Sequence, residues 1–293
     1  MANKNNDVKL HSKSAQIALE STIVYVVVIF FAILAIIPFL YMFMNAMWDS
    51  SYIQSHLVLY PKLDGFKTLK ANYDFLESKK LFDFVTGFKN SIIISGSSTI
   101  LTVYFSALTA YGLTVYDFKG KKTIFALIVG VMMVPTAVNI TGFYNLMNKM
   151  GLIGTKWPLI IPAIAAPSTV FFIKQYLDSS LSVEIIEASR IDGAGEFFTF
   201  NKICLPIMVP AIATQAIFSF LGSWNNFFAP SILLTRAEQK TLPLMVSLLS
   251  SDQIVNYGAL YLGLSISVVP VIIAYIFLQR FIISGVAAGG VKE

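Results

Sequence analysis

The chain has 293 residues, 56% of them hydrophobic and 13% charged, whereas a soluble domain is roughly a quarter charged; with a mean hydropathy of +0.71 this excludes an ordinary soluble globule and points to a bilayer. The net charge is +5, but Lys and Arg lie scattered between apolar runs and form no basic patch with interleaved aromatics, which speaks against nucleic acid as a partner. The single cysteine, Cys204, excludes an intrachain disulfide, and His11 and His56 are too far apart in the chain to suggest a metal cluster.

Residues 1–21 form a polar tail with Lys4, Lys9 and Lys13, in which Val8, Leu10, Ile17 and Leu19 are too sparse to specify a helix. A disordered tail and one lying at the interface are both open. The first apolar run, Thr22–Met44, is too long for a signal-peptide core and lacks a small-residue cleavage site, so it is expected to be an uncleaved anchor. A polar loop, Trp48–Gly87, follows, with lysines and acids in balance.

Further runs of spanning length lie at Phe88–Leu113, Thr123–Phe143, Trp157–Leu177, Met208–Thr235 and Gly258–Ile282. The expected fold is an all-α membrane protein of six transmembrane helices. Six crossings put both termini on one side, and Lys119, Lys121 and Lys122 against Asp117 in the loop Tyr116–Lys122 mark that side as cytoplasmic. Pro38, Pro135, Pro162, Pro167, Pro230 and Pro270 fall inside or at the ends of the runs, where each favours a kink. Ser95-Gly96-Ser97-Ser98 reads as a close helix-packing surface.

Between the fourth and fifth runs stands the most charged short stretch, Asp178–Pro206, DSSLSVEIIEASRIDGAGEFFTFNKICLP. Val183, Ile186 and Ile191 recur about a turn apart, while Glu184, Glu187 and Arg190 recur on another face, which predicts a short amphipathic helix. Ser182 is its candidate N-cap and Gly193 the left-handed residue that ends it. Glu196–Ile203 is expected to form a second short helix, stopped by Pro206. A solvated surface helix with an internal Glu187–Arg190 pair is the plain alternative on pattern alone.

Glu187-Ala188-Ser189, Gly193 six residues after Glu187, then Leu205-Pro206, in EASRIDGAG followed by ICLPIMVPAIAT, resemble the EAA loop of permeases in binding-protein-dependent ABC importers. ALTAYGLTVYDFKGKKTIFALIVGVMMVP, YNLMNKMGLIGTKWPLIIPAIAAPSTVFFIKQYL, FLGSWNNFFAP and FLQRFIISGVAAGGVKE extend the resemblance over about Ser21–Glu293, closest to carbohydrate-type permeases and in particular to the smaller permease of the maltose system. Two departures stand out: Ser182 replaces a common helix-opening proline, and Asn226 replaces an acidic residue after Trp-Asn.

The resemblance implies a type I ABC importer permease fold, with residues 22–293 as the transmembrane permease domain. Loop 178–206 would then dock on a cytoplasmic ATPase dimer through Glu187, Ala188, Ser189, Arg190, Asp192, Gly193, Leu205 and Pro206. It implies a second permease, homologous and non-identical, an extracytoplasmic solute-binding protein, a sugar or oligosaccharide as substrate, and a place in the bacterial cytoplasmic membrane. The segment Trp48–Gly87 would face the binding protein. Amino acids, peptides or polyamines are the alternative substrates.

No catalytic group is expected in this chain. It lacks GxxxxGK[ST], so ATP and magnesium belong to the partner ATPase and no cofactor to this chain. Lys89, Lys174 and Arg280 lie near span ends and no acid sits mid-span, which argues against an ion-coupled secondary transporter. Polar or aromatic residues near proline breaks are candidate pathway contacts for a sugar: Asn139, Tyr144, Asn145, Trp224, Asn225 and Asn226.

Overall fold

Lipid offers the backbone no hydrogen-bond partner, so apolar runs wind into helices that satisfy themselves. The computed structural model describes residues 2–78, 82–135, 139–250 and 255–290, with side chains from residue 20 to 276, and no strand forms among the described residues. The side chains of Lys4, Lys9, Lys13, His11 and Arg280 lie outside the described ones. The chain divides into two compact bodies, Met1–Phe75 with Asn256–Ser265, and Leu76–Val255 with Ile266–Glu293.

In the first body, helix α1 runs from Ala2 to Asn45 without a stop at Pro38. The polar tail therefore continues directly into the apolar run as one helix, although its composition specifies none. From Ile23 to Leu40 the large apolar side chains of α1 are exposed, as a lipid-facing span requires. Helix α2, Ser50–Ser55, and helix α3, which begins at Gly65 and ends at Ser78, follow.

Asn72 draws the chain after α1 together by donating to the carbonyls of Ala46 at 3.0 Å and Trp48 at 3.2 Å. Gly258, near the start of helix α15 (Tyr257–Gly290), lies so close that a Cβ would stand 2.4 Å from the Trp48 carbonyl. Outside the membrane run, Trp48 stacks on Tyr52 at 4.3 Å and Tyr52 on His56 at 4.2 Å, so exposed His56 ends an aromatic ladder built on two half-buried rings.

The second body is organised around helix α4, Phe84–Val115, capped by the Asp83 carboxylate, which accepts from the Thr86 N–H at 3.0 Å. Its buried face is a stripe of small and polar residues, including Gly87, Asn90, Ser91, Ser95, Ser98, Thr102, Ser106, Ala107 and Ala110. Val85, Ile92 and Ile100 face outward. A bilayer reverses the soluble rule: apolar surface costs nothing in lipid, while small residues let backbones approach. Ser98 donates to Ser223 at 3.1 Å and Thr102 to the Ala163 carbonyl at 3.0 Å, which adds polar fastening to the packing face.

Helices α5 (Lys121–Met132) and α6 (Ile140–Lys149) come next. The expected third span, Thr123–Phe143, is thus not one helix: α5 ends ahead of Pro135, because a proline disfavours helical geometry in the residue before it. Residues 136–138 lie outside the described ones. The fourth run begins as helix α7, Trp157–Ile160, tightens over Ile161–Ile164, and restarts at Pro167 as helix α8, Pro167–Ser180.

Helix α9, Val183–Ile191, is followed by helix α10, Glu196–Phe198, a wide π turn over Thr199–Cys204 and helix α11, Leu205–Ile207. Helix α12, Val209–Trp224, leaves this segment at 79°. Helices α13, Phe228–Leu233, and α14, Leu242–Leu249, precede α15. Among the described residues, four helices are long and apolar enough to cross a membrane: Glu20–Asn45, Phe84–Val115, Trp157–Ser180 and Tyr257–Ile276; the bent pair Glu196–Ile207 and Val209–Trp224 makes up to five.

Candidate functional site

Ser182 precedes α9 with extended backbone, but its hydroxyl bonds the Glu184 carboxylate instead of capping the backbone, and it holds that carboxyl below its ordinary range. The helix buries little of itself. Ile186 is fully buried and enters a cluster with Ala107, Ala110 and Tyr111 of α4, Ile173 and Leu177 of α8, and Phe200, Cys204 and Met208. Ser189 lies beneath the helix, donating to the Ile186 carbonyl at 3.0 Å and lying 3.0 Å from the Thr199 hydroxyl.

Of Val183, Ile186 and Ile191, which recur about a turn apart, only Ile186 is buried within this chain. Ile191 is 86% exposed and Val183 48%. A nine-residue helix standing on one apolar anchor shows its remaining apolar groups outward, and Phe197, 74% exposed, extends that surface beyond the corner. Glu187, Ala188 and Asp192 are exposed on the same projection.

Gly193 closes α9 with φ +79°, and the Ala194 N–H returns to the Ser189 carbonyl at 3.0 Å. A Cβ at Gly193 would meet nothing within 4 Å, so the position demands glycine for its backbone and not for space. Leu205 packs against the core cluster and Pro206 is exposed. Pro206 does not stop the helix, which continues through Ile207. The wide turn just ahead leaves room for a ring that lacks a donor, and the bend comes at Met208.

Arg190 does not pair with Glu187. Its Nε donates to Oε1 of Glu196 at 2.8 Å, across the Gly193 corner. The other Glu196 oxygen accepts from the Tyr111 hydroxyl at 3.2 Å and from the Tyr116 hydroxyl. The Arg190 guanidinium beside it, then the tyrosines, hold the Glu196 carboxyl below its usual range, and the same carboxylate raises the Arg190 value. The sequence does not single out Glu196, Tyr111 and Tyr116 as a functional group. Glu196 was visible as a charge, whereas the tyrosines lie 85 and 80 residues away and nothing local pairs them with it.

The six candidate pathway residues fall into two groups, on α6 and at the end of α12. Asn139 precedes α6 without capping it and is exposed; Tyr144 is half-buried and Asn145 exposed. Trp224 is 1% exposed, its Nε1 donates to the Ser267 carbonyl at 3.2 Å, and its ring packs against Phe88 and Phe220. In this conformation its place is a packing one, enclosed away from any solute. Asn225 ends α12, exposed, and Asn226 Oδ1 accepts from the Ala229 N–H at 3.2 Å at the start of α13.

Of the six, Asn226 alone lines a cavity of about 250 Å³ together with Ser98, Thr102, Ser219, Gly222 and Ser223. Ser98 was expected only to pack; it both packs and lines this space. Lys174, read as a span-end residue, pairs with Asp178 at 2.6 Å and lies over the Phe125 ring.

Comparison with known proteins supplies the family context. Residues 102–287 match the family model described as binding-protein-dependent transport system inner membrane component. The chain is 41% identical to the arabinooligosaccharides transport system permease protein of Halalkalibacterium halodurans, over 71% of this chain and 74% of that protein. It is 30% identical to the diacetylchitobiose uptake system permease protein of Streptomyces coelicolor, over 92% and 88%. The trehalose/maltose transport system permease protein of Thermococcus litoralis is 29% identical, over 90% and 94%. In fold, the chain is similar to a bacterial ABC transporter involved in the import of alginate, with a TM-score of 0.76, 22% identity, and coverage of 90% of this chain and 96% of that one.

Proposed function

Since the chain belongs to the binding-protein-dependent transport system inner membrane components, we propose that it is the transmembrane permease subunit of an ATP-driven sugar or oligosaccharide importer, whose loop 178–206 docks on a separate ATPase dimer. The observation that carries the docking is the projection itself. Helix α9 is anchored by Ile186 in the core while Glu187, Ala188, Ile191 and Phe197 stay exposed. Exposed apolar side chains rimmed by charge are what a protein partner covers. Ser189 and Leu205 act from beneath, holding the knob to the bundle, and Gly193 sets its corner.

The remaining assignments follow from that reading. Residues 22–293 form one permease domain, preceded by the cytoplasmic tail 1–21, with six crossings and both termini in the cytoplasm. The partners are a second, homologous and non-identical permease and an extracytoplasmic solute-binding protein, in a bacterial cytoplasmic membrane. The transport systems to which the relatives belong, for arabinooligosaccharides, diacetylchitobiose and trehalose or maltose, support a carbohydrate substrate. Asn226 and its cavity, and Asn139, Tyr144, Asn145 and Asn225 at the span breaks, are the polar groups of this chain best placed for hydroxyls; Trp224 would support them from behind.

Alternating access then needs a rigid route from the ATPase to the spanning helices. Closure of the ATPase dimer moves the docked α9, and the cluster around Ile186 passes that movement to α4 and α8. Purification of the chain from its native membrane in mild detergent, with identification of whatever accompanies it, tests the assignment. An ATPase, a second permease and a sugar-type binding protein are expected; recovery of the chain alone, with transport intact on reconstitution, would overturn it.

A further inference from the structure

The corner between α9 and α10 contains Gly193 and Gly195, the first with a left-handed backbone and neither with a side chain to pack. Such a corner folds easily, so a push on α9 could be absorbed there and never reach the membrane helices. The structure places a brace across it. We propose that Glu196 is a positioning residue that locks this corner and fastens it to the end of α4, so that α9 and the spanning helix move as one body.

Each oxygen of the carboxylate has a separate duty. Oε1 accepts from Arg190 Nε at 2.8 Å and so joins the last turn of α9 to the first residue of α10. Oε2 accepts from Tyr111, inside α4, at 3.2 Å and from Tyr116, immediately after it. The Arg190 guanidinium also lies over the Tyr116 ring at 5.5 Å, and the Tyr111 and Tyr116 rings meet edge to face at 5.8 Å. Lys121 donates to the Tyr116 carbonyl at 2.9 Å, which ties the following loop into the same cluster.

An isolated exposed ion pair contributes little. Here one carboxylate is shared by a guanidinium from α9 and two phenols from the end of α4, three charge-assisted bonds from two segments, and that fixes an angle as well as an energy. Buried Tyr111 belongs to the same core cluster that holds Ile186, so brace and anchor end on the same part of α4. None of these four side chains has to touch the ATPase for the brace to work.

This inference rests on the docking role proposed for α9, and the test separates the two. The complex is purified with Glu196→Ala, Glu196→Gln or Tyr116→Phe in this chain, and three quantities are measured: ATPase subunit retained, ATP hydrolysed in the presence of loaded binding protein, and solute moved per ATP. The brace predicts that Glu196→Ala retains the ATPase but moves roughly three- to tenfold less solute per ATP, a size expected for breaking a coupling network. Glu196→Gln and Tyr116→Phe, which keep part of the hydrogen bonding, should fall between.

An unchanged solute-to-ATP ratio in Glu196→Ala overturns the proposal. So does loss of the ATPase in proportion to transport, which would make Glu196 part of the docking surface. Should Glu196→Ala fail to accumulate in the membrane, Tyr116→Phe, which removes one hydroxyl, decides alone by the same ratio. Failure of the parent chain to retain any ATPase would refute the docking role itself and leave no coupling for Glu196 to transmit.

Discussion

Glu187 has no hydrogen-bond or ion-pair partner among the described residues, although Arg190 is one helical turn away and takes Glu196 instead. A carboxylate left free beside exposed apolar groups suits an intermolecular pair. Glu187→Ala should therefore abolish uptake while the amount of chain in the membrane is unchanged; normal uptake would count against docking. Gly193 makes a backbone demand, since a left-handed conformation costs an L-residue roughly 1–2 kcal/mol, least for asparagine. Uptake should fall in the order Gly193, Gly193→Asn, Gly193→Val, and an equal loss in both variants would argue that space and not backbone governs the site. Glu196 has its pKa depressed, first by Arg190, so its bonds form above the ordinary carboxylate value and are lost only as pH falls through the lower folded value. Solute moved per ATP should accordingly stay flat between about pH 7 and 5, above the usual glutamate value of roughly 4.3; a decline centred within that window would contradict the assignment. The short helix that carries Glu187 and the left-handed Gly193 that ends it were legible in the sequence, because helix periodicity and a terminating glycine are local signals. Glu196's partners were not, since they meet only once α4 and the loop have folded together.

Among the elements, α4 is the one on which the second body depends. Its buried stripe recurs every third or fourth residue and is small or polar, so what a soluble helix would expose this helix packs. A Cβ at Gly87 would lie 2.8 Å from Met245 Sδ and 3.2 Å from the Leu242 backbone, whereas one at Gly222 would meet nothing within 4 Å. Gly87→Val should lower the thermal stability of the detergent-solubilised complex by an amount typical of overpacking, about 1–3 kcal/mol. Gly222→Ala should leave it nearly unchanged, and equal shifts would mean that α4 packs otherwise. The runs around α1, α4 and α15 were readable because each is long, apolar and free of a terminating break. Where prolines intervene, composition identified an apolar run but not its geometry: the run at Thr123–Phe143 divides near Pro135, while Pro206, expected to stop a helix, sits inside one. A proline's effect depends on whether neighbouring turns can widen around it, and that is settled by packing.

At the scale of the molecule, family and fold were legible from the order of the apolar runs and the EASRIDGAG loop between them, and the matched family and relatives agree with that reading. Substrate recognition was far less legible, because asparagines and tryptophans at span ends serve packing and capping as readily as sugars; Trp224 is enclosed and Asn226 caps α13 while lining a cavity. On the proposed function, this chain moves solute only when a separate ATPase drives it. The measurement that tests it most directly is sugar uptake into liposomes holding the purified chain and its partner permease, with loaded binding protein outside the binding face, with and without the ATPase subunit and ATP. Uptake that requires both ATPase and ATP, with no hydrolysis by this chain alone, is the predicted result. Uptake at the same rate without them would contradict the account and make the chain a carrier in its own right.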